Sequence, residues 1–145
     1  MSRRARAWID GASRGNPGDA AFGVLLETDS ETLEIGGYLG RATNNVAEYS
    51  GLIAALAAAK HLGIEDLAVA SDSELLVRQI QGRYRVKAPH LLPYYNDALR
   101  RAKALPRFTI RHVMRGENSR ADGLANRAID AREPLPEWLE LPGVA

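Results

Sequence analysis

The hydrophobic positions near the start of the chain fall into three short segments with the composition of β-strands. These segments cover 5–10, 20–26 and 33–39, and they are separated by a turn-forming run at 11–18 and by a short acidic turn near Asp29. Short connections of this kind join antiparallel neighbours. The first part of the chain therefore predicts three antiparallel strands.

The rest of the chain alternates helical patterns with two further strands. The apolar run at 67–70 is short and continuous, which is typical of a strand buried on both faces. A helical crossover into this run allows a strand parallel to the first one, and this order predicts an α/β fold. The predicted helices cover 45–61, 73–81, 94–104 and 119–131, the last strand covers 108–113, and an irregular link with prolines at 89 and 93 precedes the third helix.

Glu48 is the acid whose position is hardest to explain as part of the surface. On the predicted helix it shares one side with four apolar residues, namely Leu52, Ala55, Leu56 and Ala59. That side should meet the core, where a carboxylate is unfavourable unless a cation or hydrogen-bond donors meet it. Glu48 is therefore a candidate functional residue.

Three other acids lie at the ends of apolar segments, and each has an ordinary structural explanation. Asp10 can start a turn, and Asp72 can cap the helix that follows it. Asp122 can close a Ser-x-x-Asp capping box that begins at Ser119. If the fold instead gathers the three with Glu48, the carboxylates form a site for divalent metal ions, because oxygen ligands suit Mg²⁺ or Mn²⁺.

The composition excludes several kinds of site. The 145-residue chain has no cysteine, so disulfides, zinc ribbons and thiol nucleophiles are ruled out. Its three histidines are not spaced as a ligand pair, which leaves carboxylates as the candidate metal ligands. The start lacks the apolar run of a signal peptide and no segment approaches membrane-spanning length, so we expect a cytoplasmic location. The length predicts one domain, which we expect to be a monomer.

Charge is distributed unevenly along the chain although the net charge is only +1. Residues 78–103 carry seven Arg or Lys and one acid, whereas residues 27–34 carry four acids and no base. A basic face on a near-neutral protein suits a polyanionic partner such as nucleic acid. A solvated helix face explains the same pattern equally well.

Four motifs occur in order and at suitable spacing to resemble a known family. They are DGASRGNPG at 10–18, TNNVAE at 43–48, SDSE at 71–74 and NSRADGLA at 118–125. Together they resemble type 1 ribonuclease H, which cuts the RNA strand of RNA–DNA hybrids. The resemblance covers roughly residues 5 to 130. It implies a mixed five-stranded sheet, with the first three strands antiparallel, the rest parallel and helices on both faces.

The resemblance also implies a reaction and a division of the chain. Residues 1–131 would form the catalytic domain, and 132–145 a proline-rich acidic tail that Trp138 and Leu139 could dock. The enzyme would hydrolyse RNA paired with DNA by a two-metal-ion mechanism, leaving 5′-phosphate and 3′-hydroxyl ends. Asp10, Glu48, Asp72 and Asp122 would bind the two Mg²⁺ or Mn²⁺ ions, and Glu48 would also accept a hydrogen bond from an RNA 2′-hydroxyl.

The family's substrate-binding positions match further residues. Asn16, Asn44 and Asn45 match positions at the minor groove of the hybrid, where 2′-hydroxyls distinguish RNA from DNA. Arg41 and Thr43 match a pocket for a phosphate of the DNA strand. Capping of the helix is the alternative role for Asn44 or Asn45. The set of expected substrate-binding residues is Gly11, Asn16, Arg41, Thr43, Asn44, Asn45 and Ser73.

Two features depart from the family pattern. Many members place a histidine in a longer loop before the last acid, whereas here the loop is 114–118 and Glu117 is the candidate substitute. The basic, tryptophan-rich protrusion of some members is replaced by the short segment 81–87. Three basic residues there could serve the DNA backbone, with Tyr84 either as a stacking surface or packed in the core.

Two alternative functions remain open from the sequence. One is a hybrid- or RNA-binding module that has kept the fold without the chemistry, although such a module should have lost an acid. The other is a nuclease of the same fold that acts on another nucleic acid.

Overall fold

A mixed five-stranded sheet with the order β3-β2-β1-β4-β5 forms the centre of the molecule. The structure is a computed structural model, and it describes residues 3–143. β1 pairs antiparallel with β2 and β2 with β3, whereas β1–β4 and β4–β5 are parallel. The strands are β1 (Arg4–Gly15), β2 (Gly18–Glu27), β3 (Thr32–Ala42), β4 (Asp66–Ser71) and β5 (Arg107–His112).

Helices cover both faces of this sheet, so the predicted fold class is confirmed. The helix α1 packs on one face and α4 packs over β1, β2 and β3 on the other. Short 3₁₀ turns at Pro89–Leu91 and Arg115–Asn118 precede the last two helices. The helices are α1 (Asn44–His61), α2 (Glu74–Ile80), α3 (Leu92–Lys103) and α4 (Ser119–Ala131).

The predicted turn at 11–18 is wrong for most of its length. β1 continues to Gly15 and pairs with β2 as far as Gly18, with Ser13 opposite Ala20 and Arg14 opposite Asp19. Only Asn16 and Pro17 form the connection. The residue types favour turns, but the ladder formed with β2 determines the conformation, because strand propensity is weak compared with pairing.

The helix α1 is buried on every side along most of its length. All residues from Val46 to Ala59 are buried, because the helix lies between the sheet and α3. Its many alanines permit this close packing on both sides. The helix ends near Gly63, whose positive φ of 71° suits a C-terminal stop.

Two glycines allow helices to approach the sheet closely. A Cβ at Gly11 would overlap the backbone of Ala47 and Glu48, and a Cβ at Gly23 would overlap the backbone of α4 at Ala121. The missing side chains therefore bring the start of α1 and the start of α4 against β1 and β2. The start of α1 carries Glu48, and the start of α4 carries Asp122.

The third helix begins earlier than predicted. α3 starts at Leu92, and Pro93 lies in its first turn, where a missing backbone N–H does not interrupt the helix. The predicted irregular link is therefore shorter than expected. The predicted bounds of the last helix, 119–131, are confirmed.

The segment after α4 lies against the body of the protein. The backbone N–H of Tyr38 donates to Glu133 over 2.7 Å, next to the edge strand β3. Leu139 and Leu141 are buried within the main core, and Trp138 stacks on His61 with 5.7 Å between the ring centroids. In residues 3–143, no helix has the length and apolar character needed to cross a membrane.

Candidate active site

The four predicted acids lie around one cavity of about 400 Å³, at the carboxyl end of β4 and beside the middle of β1. β1 contributes Asp10, α1 contributes Glu48, the β4–α2 junction contributes Asp72, and α4 contributes Asp122. The walls are strongly polar. The lining residues are Asp10, Gly11, Asn44, Glu48, Asp72, Ser73, Arg115 and Asp122.

Asp10 does not start a turn, because it lies inside β1 opposite Gly23. Its side chain is 8% exposed and accepts a hydrogen bond from the backbone N–H of Gly11 over 2.9 Å. Burial, the largest cause, and the neighbouring Asp72 and Asp122 together raise the pKa of Asp10 to about 8. The ionised form is therefore unfavourable until positive charge arrives.

Asp72 does not cap α2, because the adjacent Ser73 does. The Ser73 hydroxyl accepts from the backbone N–H of Leu76 over 3.2 Å, and its own N–H donates to Ser71 Oγ. The Asp72 carboxylate is partly exposed and lines the cavity. The explanation of Asp72 as an N-cap is therefore wrong.

The predicted capping box at Ser119 is also wrong. Ser119 is the first helical residue of α4 and Asn118 occupies the cap position, with no capping bond from its side chain to any residue in 3–143. Instead, the buried Asn118 amide donates to the carbonyl of Ile9 over 2.8 Å and ties α4 to β1. This tie holds Asp122 close enough to Asp10 to raise the pKa of the Asp10 carboxyl.

Glu48 is 9% exposed and faces the cavity from the first turns of α1. Asn44 Nδ2 donates to Glu48 Oε1 over 2.8 Å. Burial raises the pKa of Glu48 to about 7, a hydrogen bond with Ser73 opposes the shift, and Asp72 adds to it. Glu48 therefore resembles Asp10 as a buried carboxylate with few compensating positive charges.

The carboxylate oxygens around the cavity suit hard divalent cations, although the four side chains do not converge on one position. Within residues 3–143, no three acidic or imidazole side chains form a ready-made metal cluster. The buried pair Asp10 and Glu48 forms the floor, whereas Asp72 and Asp122 are more exposed. Carboxylate oxygens are the ligands that Mg²⁺ and Mn²⁺ prefer, and a cation would offset the raised pKa values of the floor.

The expected substrate-binding residues divide between the cavity and its surroundings. Gly11, Asn44 and Ser73 line the cavity itself. Asn16 lies beside it, because its Oδ1 accepts from the backbone N–H of Asn44 over 3.0 Å. Asn45 is exposed on the far side of the α1 start, where it lines a neighbouring groove.

The cap of α1 is Thr43, so neither Asn44 nor Asn45 takes that role. Thr43 Oγ1 accepts from the backbone N–H of Val46 over 3.2 Å. A hydroxyl that accepts in this way still has its own hydrogen to donate. Arg41 is exposed two residues earlier, near the end of β3.

The 3₁₀ turn before α4 presents Arg115, not Glu117, to the cavity. Arg115 is an exposed lining residue, whereas Glu117 is exposed and is not among the lining residues. Inspection of the sequence missed Arg115. Its position in the loop that replaces the family's histidine loop is the only signal that could have indicated it.

A second groove of about 520 Å³ adjoins the cavity across the start of α1. Tyr84 is 47% exposed there, with the Arg78 guanidinium 5.9 Å from its ring centroid, so of its two predicted positions the one in the core is wrong. The exposed Leu75 also contributes apolar surface. The groove is lined by Asn45, Leu75, Gln79, Arg83, Tyr84, Arg85, Lys87, Ala88 and Leu91.

A family model described as reverse transcriptase-like matches residues 9–128. Ribonuclease HI of Halobacterium salinarum is 45% identical over 139 residues, which cover 88% of this chain and 65% of that protein. The chain belongs to the type 1 ribonuclease H family. A bifunctional protein of Mycobacterium tuberculosis is 49% identical over 125 residues, but the chain spans only 34% of its length.

Solved ribonuclease H structures share the same architecture. The N-terminal ribonuclease H domain of the Mycobacterium tuberculosis protein, solved as a fusion with maltose-binding protein, has a TM-score of 0.85 at 47% identity, with 90% of this chain and 96% of that chain covered. LC11-RNase H1, crystallised in complex with an RNA/DNA hybrid, has a TM-score of 0.82 at 39% identity, with 88% and 98% covered. The predicted family is thereby confirmed.

Proposed function

We propose that the protein is an endonuclease that hydrolyses the RNA strand of RNA–DNA hybrids and depends on divalent metal ions. One observation carries the proposal: four acids from four separate elements line one cavity, while other residues take the structural roles that would explain three of them. β1 continues past Asp10, Ser73 caps α2 beside Asp72, and Asn118 occupies the cap position before Asp122. Retention of all four argues against a non-catalytic binding module.

Asp10, Glu48, Asp72 and Asp122 would hold two divalent ions, Mg²⁺ or Mn²⁺. When bound, the ions would supply positive charge for the attacking water and the leaving oxygen of the phosphodiester. The protein's part is to keep the carboxylates in place before substrate arrives. The Gly11–α1 contact fixes Glu48 against β1, and the Asn118–Ile9 bond fixes the start of α4.

We propose that Glu48 also recognises the ribose. Asn44 Nδ2 already donates to one of its oxygens, which orients the carboxylate and leaves the Asn44 Oδ1 as an acceptor. We propose that this pair receives the 2′-hydroxyl next to the scissile bond. A 2′-hydroxyl is the group that distinguishes RNA from DNA at a given position.

The surrounding polar residues would grip the two strands. Asn16 Oδ1 accepts from the backbone N–H of Asn44 at the start of α1, so the Asn16 amide N–H₂ can donate to the minor groove. Thr43 can donate its hydroxyl hydrogen to a DNA phosphate beside Arg41. The groove with Tyr84 and the basic residues Arg83, Arg85 and Lys87 would then follow the DNA backbone beyond Asn45.

Arg115 would neutralise the scissile phosphate in place of the family's loop histidine. Its guanidinium faces a cavity whose other charged groups are all carboxylates. An arginine remains charged at any working pH and binds phosphate through several donors. This assignment replaces Glu117, whose negative charge would oppose a phosphate.

A substrate panel tests the proposal directly. Labelled RNA–DNA hybrid, RNA–RNA and DNA–DNA duplexes are incubated with protein and Mg²⁺, with Asp10→Asn as the matched control. We expect cleavage of the RNA strand of the hybrid, with 5′-phosphate and 3′-hydroxyl ends, by wild type only. Equal product from the control, or preferred cleavage of DNA–DNA, would contradict the proposal. A monomer in the cytoplasm remains a prediction from the sequence.

A further inference from the structure

The sheet has an open face that the catalytic proposal does not use. Side chains alternate along a strand, and Ala5, Ala7 and Ile9 of β1 belong to the core on the α1 side. The residues between them, Arg6 and Trp8, therefore lie on the opposite face, together with Asp10. The helix α4 covers the neighbouring part of this face, over β1, β2 and β3.

β4 and β5 extend this face beyond α4, and the register sets the small side chains of β4 between the larger side chains of β1 and β5, an arrangement that we call the trough. Ala68 and Ala70 of β4 lie between the larger residues of β1 and β5. The register places Arg6 opposite Ala68 and Thr109, and Trp8 opposite Ala70 and Arg111. Because strands are about 4.8 Å apart, the residues of β1 and β5 stand roughly 10 Å apart.

The trough carries excess positive charge. Arg6, Arg107 and Arg111 are exposed, and no carboxylate within residues 3–143 forms an ion pair with them. Arg4 differs, because its Nε lies 3.4 Å from Asp66. The far end is mixed in charge, because Glu27, Asp29 and Asp66 line a pocket there together with Arg4 and Arg6. Arg111, in register with Trp8, is the arginine without an ion pair in residues 3–143 that lies nearer the active-site acids.

An aromatic side chain stands within this charged surface. Trp8 is half-buried, and the Arg6 guanidinium lies 6.0 Å from its ring centroid. Aromatic rings interleaved with arginines on an exposed sheet are a surface on which nucleic-acid bases stack while phosphates are neutralised. Charge and chemistry therefore both favour a nucleic-acid strand over an acidic protein segment.

The trough is continuous with the candidate active site. Asp10 follows Trp8 by two residues on the same face of β1. Arg6 lies on that face four residues before Asp10, about 13 Å from it along the strand. We propose that this face binds single-stranded RNA that continues from the strand held at the acids. This inference rests on the proposed function for the identity of that strand, and its binding test does not require cleavage.

Direct binding provides the first test. A labelled single-stranded RNA of about a dozen nucleotides is titrated by fluorescence anisotropy in EDTA, with wild type, the double variant Arg6→Gln/Arg111→Gln and the control Arg127→Gln on the exposed side of α4. We expect the double variant to bind about tenfold more weakly and its log–log salt slope to fall by about 1.4, or 0.7 per lost phosphate contact. Unchanged binding, or an equal loss in Arg127→Gln, would overturn the proposal.

Tryptophan fluorescence tests the stacking separately. The chain has two tryptophans, so a Trp138→Phe background leaves Trp8 as the reporter. Single-stranded RNA should quench this signal with the same midpoint as the anisotropy titration. A signal that stays constant while RNA binds would place the RNA elsewhere.

Kinetics separates this inference from the proposed function. A hybrid with an unpaired RNA extension should have a lower KM than a blunt hybrid for wild type, and the double variant should lose that advantage. An equal advantage from an extension of the DNA strand would contradict RNA as the occupant. If wild type cleaves neither hybrid, the proposed function fails, whereas the binding titration still decides whether the trough takes RNA.

Discussion

Two buried polar regions meet at neighbouring residues of α1, and they are built in opposite ways. On one side, Tyr49 directs its hydroxyl into the core, where it donates to Gln79 Oε1 over 2.7 Å. On the other side, Glu48 faces the acid cavity, where burial and Asp72 both raise its pKa. The two side chains are almost equally inaccessible to solvent, at 1% and 9% exposure.

The difference shows how a buried polar group can indicate stability or function. Tyr49 and Gln79 satisfy each other, so the pair adds specificity to the core without needing anything from outside. Glu48 and Asp10 lie among other carboxylates, and the positive charge that would balance them has to come from a bound partner.

The largest effect should come from removing one acid of the cavity. Asp72→Asn should lower kcat/KM on a hybrid at least about a hundredfold, as expected for the loss of one fixed electrostatic contribution to a transition state. Its free energy of unfolding should change little, since Ser73 caps α2. Steady-state cleavage and urea unfolding measure the two quantities. A variant that unfolds more easily but still cleaves would make Asp72 a structural residue.

Removal of Arg115 from the acid cavity should lower kcat/KM less than removal of an acid does. Arg115→Gln should lower kcat/KM about tenfold, the scale of one charge-assisted hydrogen bond. Arg115→Lys should recover part of the loss. Glu117→Gln is the matched control from the same 3₁₀ turn and should cleave like wild type. A larger loss of cleavage in Glu117→Gln than in Arg115→Gln would show that Glu117, and not Arg115, takes the place of the family's loop histidine.

Changes to the buried Tyr49–Gln79 pair should lower stability and change the rate of cleavage by no more than about twofold. Tyr49→Phe should reduce the free energy of unfolding by about 1–3 kcal/mol, because Gln79 loses a buried partner. The double variant Tyr49→Phe/Gln79→Leu removes both polar groups and should be closer to wild type than the sum of the two single changes. Urea unfolding of the four proteins completes the cycle. Strict additivity would show that the hydrogen bond contributes nothing.

Stability should also depend on pH in EDTA. The pKa of Asp10 is raised from 3.8 to about 8, so the folded protein keeps a proton that the unfolded chain releases between these values. Its contribution to stability is full below about pH 4 and is lost as pH rises through about 8. Asp10→Asn should therefore gain stability relative to wild type as pH rises from 5 to 8, as measured by thermal unfolding.

Addition of Mg²⁺ provides the control for that comparison. The ion should stabilise wild type and reduce the advantage of Asp10→Asn, because binding to the folded state alone raises stability. If the stability advantage of Asp10→Asn over wild type shrinks as pH rises in EDTA, the surroundings do not destabilise the ionised form of Asp10.

Much of the fold and the acidic set could be predicted from sequence because both depend on local patterns. The apolar segments, the stop at Gly63 and the four motifs are visible as short runs of residues. Pairing across space was not visible, so the glycine-rich run 11–18 was predicted as a turn although β2 holds most of it as strand. Which residue caps each helix also depends on geometry that residue types alone leave open.

Arg115 and Tyr84 were mispredicted or missed for a related physical reason. Arg115 reaches the cavity only because the 3₁₀ turn is short and Asn118 anchors its end to β1. Tyr84 stays exposed because the segment after α2 lies on the surface beside a groove. Neither depends on hydrophobic periodicity, so the pattern that predicted the core carries no information about them.

The most direct test of the contrast compares Glu48→Gln with Tyr49→Phe in one hybrid-cleavage experiment, with unfolding measured on the same samples. We expect Glu48→Gln to lose cleavage at least about a hundredfold and to stay folded. We expect Tyr49→Phe to lose stability and to keep cleavage. Cleavage by Glu48→Gln at the wild-type rate in Mg²⁺ would contradict the assignment of the acid cavity as the active site.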